Sequence, residues 1–252
     1  MKNMKNIKNN KILIILLILG IIAVSCDGKE DASNVLSEVT YLPYIEVQGE
    51  SSITLDCDTD EFIDEGAIAS ESGVEIDLET TIEGYYFGSS AIDTPDYYVV
   101  TYSATNVDGI PGAEFRDITW APCNGDLTTS IAGLYTADIV RNGSVDPTYQ
   151  DLSPVMIKDL GDGVYQLSDA IGGYYDFGRG YGHNYAGTGM TVTANDIPSN
   201  DFTHTDVIGV GLFGGDLSMT SFSVDATSGT INFTTEWSFG FTFEVTLTQI
   251  AQ

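Results

Sequence analysis

From about residue 40 to its end, this 252-residue chain has no stretch whose apolar residues recur at helical spacing. Short β-rich runs alternate instead with Gly, Asp, Asn and Ser turns, which restricts the chain to an all-β build. The last run shows the pattern best. Phe239, Phe241, Phe243, Val245, Leu247 and Gln249 fall on one side of an extended segment, with Thr242, Glu244, Thr246 and Thr248 on the other. Seven further runs precede it, at 134–140, 155–160, 164–167, 190–194, 207–213, 219–224 and 230–235. Asp162-Gly163 separates two of them and suits a type I′ hairpin turn, and Ser228-Gly229 serves the same role later. Eight antiparallel strands of this kind close into a barrel or stack as a jelly-roll-like sandwich, and the sequence does not choose between the two. Upstream, Ala121-Pro122-Cys123-Asn124-Gly125-Asp126 must end a strand, because proline cannot donate to a ladder and Asn-Gly turns the chain. The expected division is therefore 39–121 and 122–252.

The first 38 residues follow other rules. Lys2, Lys5, Lys8 and Lys11 precede an apolar run, Ile12–Leu19, that continues beyond Gly20 through Val24. About 13 such residues is long for a signal segment and short for a membrane span of roughly 20. Small residues then lead into Ala23-Val24-Ser25-Cys26. That junction resembles the lipobox of bacterial lipoproteins, which implies removal of residues 1–25 and lipidation of Cys26; an uncleaved anchor helix is the alternative. Residues 26–38 are polar and aperiodic and read as a flexible tether. Their Lys29-Glu30-Asp31 stretch resembles the acidic signal that sends Bacteroidetes lipoproteins to the outer face of the outer membrane.

All 37 acidic residues follow Cys26, and only Lys29, Arg116, Arg141, Lys158 and Arg179 oppose them, a formal charge of −32. Such a surface repels phosphates and anionic headgroups, so nucleic acid is excluded as a partner and membrane contact is left to the lipid alone.

In the first domain, Tyr98, Val100, Tyr102 and Ala104 share one strand face, and Arg116, Ile118 and Trp120 share another. Asp64-x-Gly66-x-x-Ala69, then Tyr98–Thr105, then Arg116-Asp117-Ile118-Thr119-Trp120 resembles a bacterial immunoglobulin-like domain over about residues 42–120. The type is common in Bacteroidetes surface lipoproteins tied to polysaccharide utilisation. Gly109-Ile110 departs from its usual Gly-Asn, which affects that loop alone. The resemblance implies a sandwich of about seven strands with a spacer role. It also implies that a strand near Ser52–Leu55 pairs in parallel with Phe115–Trp120, which brings Cys57 and Cys123 within disulfide reach; two unpaired cysteines on separate loops are the alternative. The whole chain more loosely resembles the two-domain lipoproteins that accompany Sus-type glycan uptake systems, a resemblance that carries no catalytic motif.

Chemistry concentrates at 171–187, where five aromatics, a histidine, an arginine and many glycines crowd together. Tyr174, Tyr175, Tyr181 and Tyr185 are candidate sugar platforms, and Asp176, Arg179, His183 and Asn184 the candidate hydrogen-bonding set. The competing reading is a Gly-rich aromatic plug for the end of a β-barrel. Trp237 is a further platform or a core residue. Asp56–Glu61 is acidic enough to suggest calcium, but an EF-hand would want Gly and Glu where Glu61 and Ala67 stand, so a solvated acidic rim is the stronger reading and no metal or cofactor is assigned. The chain has no Gly-x-Ser-x-Gly elbow, His-Glu-x-x-His or phosphate loop, and His183 and His204 are its two imidazoles. The sequence thus leads to the expectation of a non-catalytic glycan-binding lipoprotein on the cell surface, with an oligo- or polysaccharide and outer-membrane uptake proteins as partners. A structural or protein-interaction component without its own ligand is the alternative.

Overall fold

The computed structural model describes residues 39–251, so the signal segment, Cys26 and the tether lie outside the described residues. Residues 41–252 form one compact unit that holds two hydrophobic cores. The protein is all-β, as its alternating runs require.

The first core lies between two small sheets. One is built from β1 (Tyr44–Val47), β3 (Ala67–Glu71) and β4 (Val74–Glu75). The other is built from β2 (Ser52–Leu55), β5 (Glu79–Gly84), β6 (Asp96–Thr105) and β7 (Pro111–Trp120). Tyr98, Val100, Tyr102 and Ala104 all point inward from β6, and Arg116, Ile118 and Trp120 from β7, so the period-two pattern is realised residue by residue. Arg116 has no exposed surface. It is held by the Asp64 carboxylate and the carbonyls of Gln48 and Glu50, and Tyr102 Oη donates to the same Asp64 at 2.6 Å. The charge is tolerable there because the Asp64 carboxylate pairs with it and two backbone carbonyls accept from its Nε and Nη2. β2 runs parallel to β7, with Ser52 opposite Asp117 and Leu55 opposite Trp120. Just beyond these ends Cys57 and Cys123 are joined by a disulfide, their Cα atoms 4.7 Å apart.

The second core is wrapped by a single antiparallel sheet curled into a half-barrel, rather than by two stacked sheets. Among the described residues it holds ten strands: β8 (Gly133–Arg141), β9 (Ser144–Val145), β10 (Leu152–Gly161), β11 (Val164–Leu167), β12 (Thr191–Asp196), β13 (Asp201–Thr203), β14 (Val207–Val210), β15 (Gly214–Asp225), β16 (Thr230–Trp237) and β17 (Phe241–Gln249). The order across the sheet is β13-β12-β11-β10-β8-β17-β16-β15-β14, with β9 paired to β8. Asp162 and Gly163 both take positive φ, 53° and 75°, at the turn from β10 to β11, the geometry that Asp-Gly favours. β13 and β14 terminate the sheet on opposite sides although only residues 204–206 separate them. Asp206 Oδ2 accepts from the Thr191 amide at 3.0 Å on one side of that connection, and His204 Nδ1 lies 3.1 Å from the Met219 carbonyl on the other.

Candidate functional site

The 171–187 segment folds as short helical turns across the mouth of the half-barrel. One carboxylate organises it. Asp169 Oδ1 accepts the amides of Ile171 and Gly187, each at 2.9 Å, and Oδ2 accepts that of Gly173 at 3.0 Å, so both ends of the segment are tied to the same side chain. Burial pushes the Asp169 carboxyl up to about 6, against the opposing pull of those amides. Gly172, at φ +68°, passes so close to Val245 and Ile139 that a side chain there would collide with both.

The structure separates the expected ligand residues into groups. Tyr174 and Tyr175 are 2% and 7% exposed and belong to the core, which corrects their assignment as platforms. Tyr174 packs on Tyr149 at 4.3 Å between centroids and lies under the Arg141 guanidinium at 5.1 Å; Tyr175 packs on Phe213 at 4.9 Å. They are buried because the half-barrel needs its open mouth filled, and each ring removes a large apolar area from water. Trp237, with Nε1 donating to the Gly214 carbonyl at 2.9 Å, is likewise a core residue. Arg179 is on the surface and donates to Tyr149 Oη at 3.0 Å. Tyr181 is 49% exposed and stacks on the outer side of Tyr175, 6.0 Å away at an interplanar angle of 11°. Tyr185 is half-buried against Phe213.

Asp176, His183 and Asn184 go elsewhere. They meet the turn after β5, which carries Tyr85 and Tyr86. Tyr85 Oη donates to Asp176 Oδ1 at 2.8 Å, and His183 Nδ1 lies 2.9 Å from Asp176 Oδ2, which makes Nδ1 the proton-bearing nitrogen. The His183 ring sits 4.8 Å from that of Tyr85 and edge-on to Tyr86 at 5.8 Å. Burial lowers the imidazole pKa, but the hydrogen bond and charge of Asp176, with the charge of Asp169 behind it, outweigh burial and leave the value raised. The Tyr86 backbone adds to this, although Nε2 lacks hydrogen-bond geometry to any partner. Desolvation, then the Asp176 bond, holds the Tyr85 phenol protonated far above neutral pH.

Above this triad opens a cleft of about 530 Å³, within the size range of small-ligand sites. Glu83, Tyr85 and Phe87 line one wall; Gln166, His183 and Asn184 line the opposite side. Tyr85 is 38% exposed, so part of its ring faces the cleft while its hydroxyl is engaged beneath. The histidine and asparagine of the expected set are thus brought together, whereas the aromatic beside them comes from the other half of the molecule. Gly84-Tyr85-Tyr86-Phe87-Gly88, three aromatics between glycines, was the sequence signal that could have found it. A second surface lies near the mouth, where Tyr181, Phe213 and Phe239 stand exposed around buried Trp237.

Residues 124–249, half of the chain, match the profile of the C-terminal domain of the BT2262-like lipoproteins, and the chain belongs to that family. Among solved structures it is similar to the lipoprotein BT2262 from Bacteroides thetaiotaomicron, at 26% identity and a TM-score of 0.53, over 82% of this chain and 100% of that one. No curated protein matches the chain significantly.

Proposed function

We propose that this lipoprotein is a non-catalytic glycan-binding protein on the outer face of the outer membrane, anchored through Cys26, working beside the uptake proteins of a Sus-like polysaccharide-utilisation system. In this reading the 39–121 region is an immunoglobulin-like spacer and 122–252 the ligand-bearing domain. The observation that carries the reading is the cleft at Tyr85. A half-exposed aromatic ring offers a face to the C–H side of a pyranose, and Glu83, Gln166 and Asn184 supply planar polar groups for its hydroxyls. The part-buried hydrogen bond to Asp176 fixes the ring before any ligand arrives, which lowers the ordering cost of binding.

Affinity gel electrophoresis of the detergent-solubilised lipoprotein through a panel of polysaccharides tests this. Retention by at least one polysaccharide should be lost in Tyr85→Ala and Asn184→Ala and kept in Tyr181→Ala. Wild-type mobility unchanged by every polysaccharide would refute it. The exposed aromatics Tyr181, Phe213 and Phe239 favour a second reading, a protein-interaction component with no ligand of its own. That role would show as co-purifying outer-membrane proteins lost on Phe213→Ser and retained on Tyr85→Ala.

A further inference from the structure

We propose that the Tyr85 cleft, taken as the glycan site argued above, admits neutral or amine-bearing oligosaccharides and rejects uronate and sulfated ones, with Glu83 as the residue that reads the charge. The walls of the cleft contain no lysine or arginine among the described residues. None of the four described cations is free to turn into it. Arg116 is buried against Asp64. Arg141 lies over the rings of Tyr174 and Phe241, at 5.1 and 4.8 Å. Arg179 is hydrogen-bonded to Tyr149 Oη. Lys158 comes nearest, behind the Phe87 ring at 5.1 Å, but its ammonium donates to Thr94 Oγ1 at 2.7 Å and is drawn toward the buried Asp96.

His183 does not fill the gap. When protonated, its charge is answered at 2.9 Å by Asp176, which leaves the pair neutral toward a ligand. A carboxylate or sulfate ester entering the cleft would lose water without gaining a counter-charge, and would face Glu83 besides. A protonated sugar amine would meet the opposite situation, an unopposed carboxylate at the cleft wall. Neutral hydroxyls would be indifferent to Glu83 as a charge and use it only as an acceptor.

A glycan array carrying neutral, N-deacetylated amino, uronate and sulfated oligosaccharides, probed with the labelled lipoprotein and two variants, tests this. Wild type should be retained on neutral or amino spots and on no uronate or sulfated spot. Glu83→Gln should weaken amino-sugar retention about two- to five-fold, the size of one solvent-facing ion pair, and by more than it weakens retention of neutral glycans, for which the amide still offers an acceptor. Glu83→Lys should shift retention toward uronates, and raised salt should diminish both charged effects. Wild-type binding to uronate or sulfated glycans overturns the inference and leaves glycan binding standing. Amino-sugar retention untouched by either variant overturns the role of Glu83. Binding to no glycan of any class removes the glycan reading itself, and the inference with it.

Discussion

Tyr174 and Tyr181 are seven residues apart in the same glycine-rich segment, yet one is a core residue and the other half-exposed. Truncating them should therefore give opposite results. Tyr174→Ala removes a ring packed between Tyr149, Phe243 and Arg141 and should cost about 3–5 kcal/mol of folding stability, whereas Tyr181→Ala should stay within about 0.5 kcal/mol of wild type. Urea melts of the two variants check this, and equal losses would contradict the burial assigned to them. Such a difference was not legible in the sequence. The segment has neither a two- nor a 3.6-residue period to say which side chains point inward, and its direction is set by the Asp169 carboxylate and the space at the barrel mouth. What could be read was the concentration of aromatic and polar groups, and His183 and Asn184 do line a cleft. The pH dependence also belongs to single residues. His183 has a folded pKa above its unfolded value, so its contribution to stability is complete below the unfolded value near 6.5 and is lost as pH rises through the folded one. Asp169, at about 6 against 3.8 unfolded, acts in the same direction at lower pH, because ionising it where it is buried is costly. The melting temperature should accordingly fall as pH rises from about 4 up through the folded pKa of His183, and His183→Gln should flatten the upper part of that decline. A melting temperature that rises over this range would refute both attributions.

Elements were far easier to read than residues. Every one of the eight expected runs in the second half contains a strand, and β11 coincides with its run, since alternation over four or more residues leaves few options. β9 and β13 escaped because two or three residues cannot display a period. Phe239 was read as part of the last strand, but Gly240 at φ +83° turns the chain between them and leaves Phe239 exposed, with the strand beginning at Phe241. In the first half, Asp64 and Ala69 of the sequence motif have physical tasks: the carboxylate holds Arg116 and Tyr102, and the alanine is buried where β3 meets the core. The disulfide is the element-scale feature with the largest measurable effect. It closes a separation of 66 residues, so the chain-entropy model gives roughly 4 kcal/mol of stabilisation, less whatever strain it carries. Denaturant unfolding with and without reductant, alongside a Cys57→Ser/Cys123→Ser double variant, measures it. Two free thiols titrated in the denatured, unreduced protein would show the bond to be absent.

At the scale of the whole molecule, the anchor and the folded unit are separate questions. Cys26→Ala should abolish incorporation of labelled palmitate and leave an unprocessed precursor in which the unfolding transition of the β unit is unaltered; undiminished labelling would refute lipidation at that position. Beside the Cys57–Cys123 disulfide, the Tyr85–Asp176–His183 triad and Lys158 on Thr94 and Phe87 tie the halves of the β unit together. The three-residue connection at 204–206 has a consequence for life on a crowded membrane. A sheet normally ends in two rows of unpaired amides and carbonyls, each able to recruit a strand from a neighbouring molecule. Here both rows belong to strands of only three and four residues, and one short connection draws them together, so little of either is offered to a second chain. Copies of a lipoprotein sharing one membrane would thereby be denied the main-chain pairing that fuses sheet edges. Lengthening that connection with several Gly-Ser pairs should leave the monomer folded yet make it self-associate, visible as oligomers in size-exclusion chromatography and as a gain in thioflavin fluorescence. Aggregates would then grow from edges that the native connection leaves too short to extend.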